Sequence, residues 1–351
     1  MGLTFGQKPM TGQDEIAVEV VEALKITLSG NLKTTKSSAK NDEVYNLYLQ
    51  GRYFFELVTA DGNRKSLECF KRTIEMDSAF APAWASYSVA QWRACGGNAS
   101  CSNWEELKAN NRRALELDPN LAEGYVNRSL YHRSEYNWVE TMEDIKKAYS
   151  LDSKNSRVLR NYGQYLVVNG RFDEGIAMCN SAMMIDPVQP NSFRYLGRAY
   201  YYANRMDEAY AAYLKAYELS PMTVPIIGIL EFFNVLVAVK GPDALLRISD
   251  SEQNEAIKLA CTSIGQFMRH QQVEADKNLA TLVEKYSTQN AYEIAQVYSY
   301  RNDKINVFKF LELAFDQKEL NFSALNVDPV FKSFRSEPRF KVISKKIKYP
   351  E

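Results

Sequence analysis

The chain has 351 residues, with 43 Lys and Arg against 43 Asp and Glu and a formal net charge of zero, which excludes the basic excess of generic nucleic-acid and anionic-membrane binders. Hydrophobic residues are 46% and charged residues 25%, a folded composition and not a disordered one. Sixteen Gly and 11 Pro leave few tight turns for an all-β sandwich or barrel, and two histidines, His132 and His270, are poor material for a metal site or a Ser-His-Asp triad.

The N-terminus, MGLTFGQKPMTGQDE, lacks the basic-then-apolar pattern of a secretory signal, and Gly6 stands where a myristoylation pattern needs Ser or Thr. Gln13 to Gly30 reads as an amphipathic helix with Ile16, Val20, Ala23 and Leu24 on one side and Thr11 before Asp14 as its cap. Asn31 to Asn41 reads as a polar linker. Two helices follow at Glu43 to Leu57 and Lys65 to Ser78, then two more at Ala81 to Trp92 and Arg112 to Asn120, separated by the insertion CGGNASCS. Five scattered cysteines without a CxxC do not make a disulfide framework. Cys95 and Cys101 flank the Gly-Gly of the insertion and read as two free thiols; a bridge between them is expected in an oxidising compartment.

From Ala122 onward the chain repeats. Stretches beginning at Ala122, Ser156 and Pro190 align without gaps at a spacing of 34 residues, each holding two amphipathic helices joined by a short polar turn. Position 8 of the unit is small (Ser129, Gly163, Gly197), position 20 is small (Thr141, Gly175, Ala209) and position 27 is Ala (Ala148, Ala182, Ala216). Small residues there let helices approach closely, while Tyr125, Phe193, Tyr162, Leu196, Tyr200, Phe172 and Tyr213 fill the space between. Ser153, Pro187 and Pro221 mark helix ends.

Beyond the repeats, Val224 to Val239 is a 16-residue apolar run containing Pro225, Glu231 and Asn234. A membrane span needs about 20 clean residues, so this is a buried core helix. Helices are expected at Glu252 to Met268 and Val273 to Tyr286, and the pattern returns over Ala291 to Lys318 with Ala295, Tyr298 and Ala314. The count is about seven helix pairs. Leu325 to Glu351 carries two Pro-bracketed helical pieces in which Phe331, Phe334 and Phe340 cover the last pair while Lys341, Lys345, Lys346 and Lys348 stay in water. Three segments result: residues 1–41, an N-terminal helix and linker; 42–286, the repeat array; 287–351, the last pair and a C-terminal cap.

This alternation, W/Y/F-x-x-L/Y-G…Y…A…A…P at period 34, resembles the tetratricopeptide repeat. The resemblance implies an all-α helix–turn–helix solenoid, a right-handed superhelix with a concave inner face. A narrower resemblance rests on the ends, QDEIAVEVVEAL, YNLYLQGRYFF, AYEIAQVYSYRNDKINVFKFLELAF and NVDPVFKSFRSEPRF. Over roughly Gln13 to Phe340 the chain is similar to the tetratricopeptide portion of bacterial winged-helix transcription regulators and class III adenylate cyclases. That likeness implies a piece cut from a longer protein or a stand-alone relative, because the DNA-binding, cyclase and membrane-spanning modules of that group are not in this sequence.

No phosphate-binding glycine loop and no GxSxG elbow occurs, and acidic pairs such as Asp14/Glu15 and Glu105/Glu106 sit on helix starts where they offset the dipole. His132 falls at a packing position and His270 at a helix end suited to a dipole interaction. No enzyme activity, cofactor or metal is expected. The repeat resemblance places positions 2, 5, 9, 12 and 13 of each first helix on the groove. These include Arg157, Arg160 and Gln164; Asn191, Arg194, Arg198, Tyr201 and Tyr202; Glu123 and Arg133; and Trp92 and Arg93, with Val167, Val168, Val126, Leu130, Ser134, Pro82, Ala85 and Val89 at the remaining positions. Arginine forks beside aromatic rings suit an acidic protein or peptide; the competing expectation is that the arginines pair with Asp and Glu of neighbouring helices. Asn161 alone matches the carboxylate clamp of chaperone-binding relatives, so recognition of a chaperone tail is not expected. The function expected is a non-catalytic interaction scaffold or regulatory module with a protein or peptide in its groove. The alternative is the sensor segment of a transcription regulator or cyclase, acting by self-association into a homo-oligomer or by ligand-controlled output. Direct nucleic-acid contact and a membrane span are not expected, and the compartment is cytoplasmic, or periplasmic for a piece of a membrane-anchored regulator.

Overall fold

The structure is a computed structural model that describes residues 39–57, 59–96, 99, 101–219, 230–252 and 254–349. The expected N-terminal helix, most of the linker, the stop at Pro221 and the first turns of the Val224 helix lie outside the described residues. Within them the chain forms hairpins of antiparallel helices: α1 (Asp42–Glu56) with α2 (Ala60–Met76), α3 (Ala81–Ala94) with α4 (Trp104–Leu117), α5 (Ala122–Ser134) with α6 (Trp138–Leu151), and α7 (Ser156–Val168) with α8 (Phe172–Ile185). They continue as α9 (Pro190–Tyr202) with α10 (Met206–Leu219), α11 (Leu230–Lys240) with α12 (Pro242–Ser249), α13 (Glu255–Met268) with α14 (Gln272–Tyr286), and α15 (Ala291–Tyr300) with α16 (Lys304–Asp316). Two 3₁₀ turns, Leu320–Ala324 and Pro329–Phe334, and α17 (Pro338–Ser344) close the stack. The described residues thus hold eight pairs where the sequence suggests about seven. The added pair is α11–α12, whose second helix has eight residues and starts at Gly241 in the left-handed region (φ 78°) followed by Pro242.

Local chemistry sets the helix boundaries. Asn41, Thr59, Asn155, Asn254 and Asp303 cap α1, α2, α7, α13 and α16 by accepting a hydrogen bond from a first-turn N–H. The hairpin turns share one geometry. Tyr136, Gly170 and Asn204, each 34 residues after the last, adopt φ of 64°, 78° and 59°. The next N–H in each case reaches back five residues, Asn137 to the His132 carbonyl at 2.8 Å and Arg171 to that of Leu166 at 2.9 Å, the pattern that ends a helix with a left-handed residue. His270 (φ 61°) occupies the same place after α13, just past the helix end where the sequence placed it.

The small positions are contact points. A Cβ on Gly163 would stand 2.8 Å from the Gly175 carbonyl oxygen and 2.7 Å from Cys179 Sγ, and a Cβ on Gly175 would stand 2.6 Å from the Gly163 carbonyl. Ala148, Ala182 and Ala216 are fully buried. Gly163→Ala should therefore destabilise the protein by about 1–2 kcal/mol net. Overpacking against backbone costs about 1–3 kcal/mol, offset in part by alanine's better helix propensity. The urea unfolding midpoint measures it; an unchanged midpoint means that α7 and α8 part without strain.

The far end of the stack folds back on its middle. Phe331, Phe334 and Phe340 are buried under the last pair while Lys341, Lys345 and Lys348 are exposed. Tyr136 Oη, in the α5–α6 turn, donates to the Glu319 carbonyl at 2.7 Å, and the Tyr349 ring lies 4.8 Å from that of Trp138 and 5.4 Å from that of Tyr165. Across the inner face, Asn191 Nδ2 on α9 donates to Glu56 Oε2 at the end of α1 at 3.0 Å, although 135 residues separate them. These contacts tie units far apart in sequence to one another.

Candidate functional site

The inner face of α3, α5, α7 and α9 carries the arginines singled out above, and their surroundings divide them into two groups. In the first group each guanidinium has an acidic partner from another helix. Arg157 Nη2 donates to Asn127 Oδ1 at 2.5 Å and its Nη1 lies 3.6 Å from Glu123 Oε2, while Glu123 also receives Arg52 at 3.2 Å. Arg198 donates to Glu231 Oε1 through Nε at 3.0 Å and Nη2 at 2.5 Å. These two fulfil the competing expectation of a paired face.

The second group is Arg93, Arg133, Arg160 and Arg194, which form no ion pair among the described residues. Arg160 is 5% exposed, and its Nε and Nη1 have no hydrogen-bond partner; Arg133 Nε has none either. Arg194 uses Nε on Asn191 Oδ1 at 3.0 Å and stacks over the Tyr195 ring, 4.7 Å from its centroid, with Arg160 5.8 Å from the same centroid. Arg93 lies over the Phe55 ring and donates to the Phe55 carbonyl. Gln164 Nε2 holds the Tyr195 carbonyl at 2.9 Å, fixing the start of this turn of α9 against α7.

The electrostatics follow from that crowding. Burial lowers the Arg93 guanidinium to about 10, with Arg194 and Arg157 adding repulsion. Arg194 and Arg133 are also lowered, by burial first and then by neighbouring guanidiniums. Burial alone would raise the Tyr195 phenol, yet Arg194, Arg160, Arg133 and Arg198 hold it below its usual value. Burial likewise opposes ionisation of Glu56, but Arg160, Arg93 and Arg52 outweigh it and leave its carboxyl below the ordinary range.

Three other expected lining residues are elsewhere in function. Tyr201 and Tyr202 are core residues, 0% and 4% exposed. Tyr201 Oη donates to Asp328 Oδ1 at 2.7 Å and Tyr202 Oη to Glu231 Oε1 at 3.1 Å, because α11, α15 and the C-terminal turns cover the end of α9. They are unavailable to a partner. Trp92 is half-buried and donates from Nε1 to Ser134 Oγ at 3.3 Å. The thiols of Cys95 and Cys101, read from sequence as free, are joined in a disulfide that closes the insertion loop between α3 and α4. Tyr195 and the acids Glu56 and Glu231 were missed, while Glu123 was placed on the groove by its repeat position. Tyr195 follows Arg194 directly at position 6, where an aromatic beside a groove arginine is the one available signal.

No family model matches the chain. PilF, a type IV pilus assembly protein of Pseudomonas aeruginosa, is 36% identical over 72 residues, which are 20% of this chain and 29% of PilF, so the match spans less than a third of that relative. Among solved structures, the human IFIT1 dimer with m7Gppp-AAAA superposes with a TM-score of 0.56 at 14% identity, over 88% of this chain and 78% of that one. The Cut9–Hcn1 hetero-tetramer of the APC/C superposes with a TM-score of 0.59 at 12% identity, over 94% and 62%. These likenesses give the fold: an all-α, tetratricopeptide-like solenoid. None of the three is a winged-helix regulator or a cyclase, so the narrower resemblance gains no support. Among the described residues no helix is long and apolar enough to cross a membrane.

Proposed function

We propose that the chain is a non-catalytic interaction scaffold whose inner face captures a protein segment bearing acidic groups. The observation that supports this most is charge. Seven guanidiniums (Arg52, Arg93, Arg133, Arg157, Arg160, Arg194 and Arg198) stand against four carboxylates (Glu56, Glu123, Asp186 and Glu231) within electrostatic reach of them. Like charges gathered without counterions cost stability, so their retention points to an anionic ligand that is bound when the protein works. Arg160 and Arg194 supply the ligand contacts, Arg133 and Arg93 flank them, and Gln164 and Asn191 hold the frame. The Cys95–Cys101 bond supports the periplasmic alternative, because disulfides persist in oxidising compartments.

The test is capture from native lysate with the parent and with the Arg160→Gln/Arg194→Gln double variant. Neutral glutamines avoid setting a new carboxylate beside Glu56. A partner enriched by the parent and reduced at least tenfold by the variant, with helical circular dichroism unchanged, is the expected result. Equal enrichment by both would sink the inner-face reading.

A further inference from the structure

The unpaired arginines specify more than a preference for acidity. We infer that Arg160, Arg194, Arg133 and Arg93 form an oxyanion site around Tyr195 that takes a phosphoryl group presented by a protein segment, an inference that rests on the inner face being a binding surface. Arg160 carries the argument. It is 95% buried by its 5% exposure, and two of its guanidinium nitrogens have no acceptor. A buried, charged donor left without a partner costs about 1–3 kcal/mol or more per group. Folded proteins rarely leave such a group unsatisfied unless a ligand completes it. Arg133 Nε likewise has no partner, and its charge helps hold the Tyr195 phenol down. Arg133, Arg194 and Tyr195 are each partly exposed, so part of the cluster meets water while Arg160 itself is buried.

Charge number selects the ligand. Guanidiniums in the neighbourhood outnumber the carboxylates there by three. An aspartate or glutamate side chain brings one charge and two acceptor oxygens. A phosphorylated side chain brings roughly 1.5 to 2 negative charges at pH 7 and three strong acceptors. Arginine's planar fork matches phosphoryl oxygens two at a time. The geometry therefore favours the phosphoryl group. The source is a protein and not a nucleic acid. The whole chain has zero net charge, whereas tracking a nucleic-acid backbone needs a run of phosphate contacts.

The experiment is isothermal titration calorimetry at low ionic strength, using inorganic phosphate, phosphoserine, aspartate and a mixed-sequence single-stranded oligonucleotide as probes. Phosphate and phosphoserine should bind one-to-one and compete with each other, and aspartate should bind at least tenfold more weakly. Arg160→Gln and Arg194→Gln should each weaken phosphoserine about tenfold or more, the loss of one charge-assisted contact. Arg128→Gln should leave affinity unchanged, since that guanidinium is already held by Asp144 at 2.6 and 2.8 Å. If Arg160→Gln fails to fold, Arg194→Gln carries the comparison, because its side chain is partly exposed. Aspartate binding as tightly as phosphoserine, or no heat from millimolar phosphate on folded protein, would overturn the site. Displacement of phosphoserine by a lower concentration of oligonucleotide would overturn the protein source. The two readings fail separately. An acidic partner captured through Arg160 without phosphate binding ends this inference and keeps the scaffold. Phosphate bound through Arg160 with no protein captured keeps the oxyanion site and ends the scaffold reading.

Discussion

Asp328→Ala is expected to lower the unfolding free energy by about 4 kcal/mol and to free the C-terminal cap from the stack. The Asp328 side chain is fully buried at the start of the second 3₁₀ turn. Its Oδ1 accepts from Tyr201 Oη at 2.7 Å and from the Val330 N–H at 3.1 Å, and its Oδ2 accepts from Tyr292 Oη at 2.9 Å and Gln296 Nε2 at 2.7 Å. Those donors come from α9, α15 and the cap itself, so one carboxylate ties three parts of the fold together. Burial, and then the Asp328 charge, raise both phenols well above their usual range, which keeps them protonated as donors. Alanine leaves four donors without an acceptor in a site closed to water. Each such loss costs about 1–3 kcal/mol, less than additively when the groups share one partner. Asp328→Asn keeps an acceptor for part of the set but turns an NH₂ toward donors, so it should fall between parent and alanine. Urea denaturation of the three proteins checks the order, and a cost below about 1 kcal/mol for alanine would mean that the cap is held by Phe331, Phe334 and Phe340 instead.

The same carboxylate marks where sequence reading stops. The repeat was legible because its requirement is local: the close approach of Gly163 to Gly175 and of Ala182 to its neighbours demands small residues, and these recur at a 34-residue phase. The cap was legible because its phenylalanines bracket short Pro-initiated turns. The groove was legible only in part. Lining rules for this repeat describe an open array, and here the stack winds until Glu56 meets Asn191 and Asp328 meets Tyr201, separations of 135 and 127 residues. That closure converts Tyr201 and Tyr202 from lining to core. It also decides which arginines are neutralised. Glu123 and Arg157 share position 2 of successive units, so their pairing follows from the spacing, whereas Glu231 sits in an apolar run without repeat phase and its pairing with Arg198 does not. Arg160 and Arg194 stand at the same repeat position, and neither forms an ion pair among the described residues, although the Glu56 carboxyl is within electrostatic reach of Arg160.

A second long-range junction gives the last expected result: stability should fall by about 3 kcal/mol as pH rises from near 4.5 to above 7, and Glu293→Gln should remove most of that slope. Glu293, on α15, is 7% exposed and accepts from Asn321 Nδ2 at 2.8 Å. Glu319 caps the same helix, taking the Ala291 and Tyr292 N–H groups at 2.7 and 2.9 Å. Burial, then the Glu319 charge and more weakly that of Glu231, raise the Glu293 carboxyl from an ordinary 4.5 to about 7, against the pull of its hydrogen bonds. Glu319 is itself raised by burial, with its two capping N–H bonds opposing. The sign follows from proton counts. Between the unfolded value and about 7 the native state binds the extra proton, so stability decreases with rising pH across that window and the full cost is present above it. At about 1.4 kcal/mol per pH unit the window is worth roughly 3 kcal/mol. Glutamine is neutral at every pH and keeps the acceptor that Asn321 needs. The variant should therefore match the parent near pH 5 and exceed it by about 2–3 kcal/mol at pH 8, measured by chemical denaturation across the range. Parallel profiles would show that the pair ionises freely in the folded protein, and the junction between α15 and the first 3₁₀ turn would then be more open to water than its geometry implies.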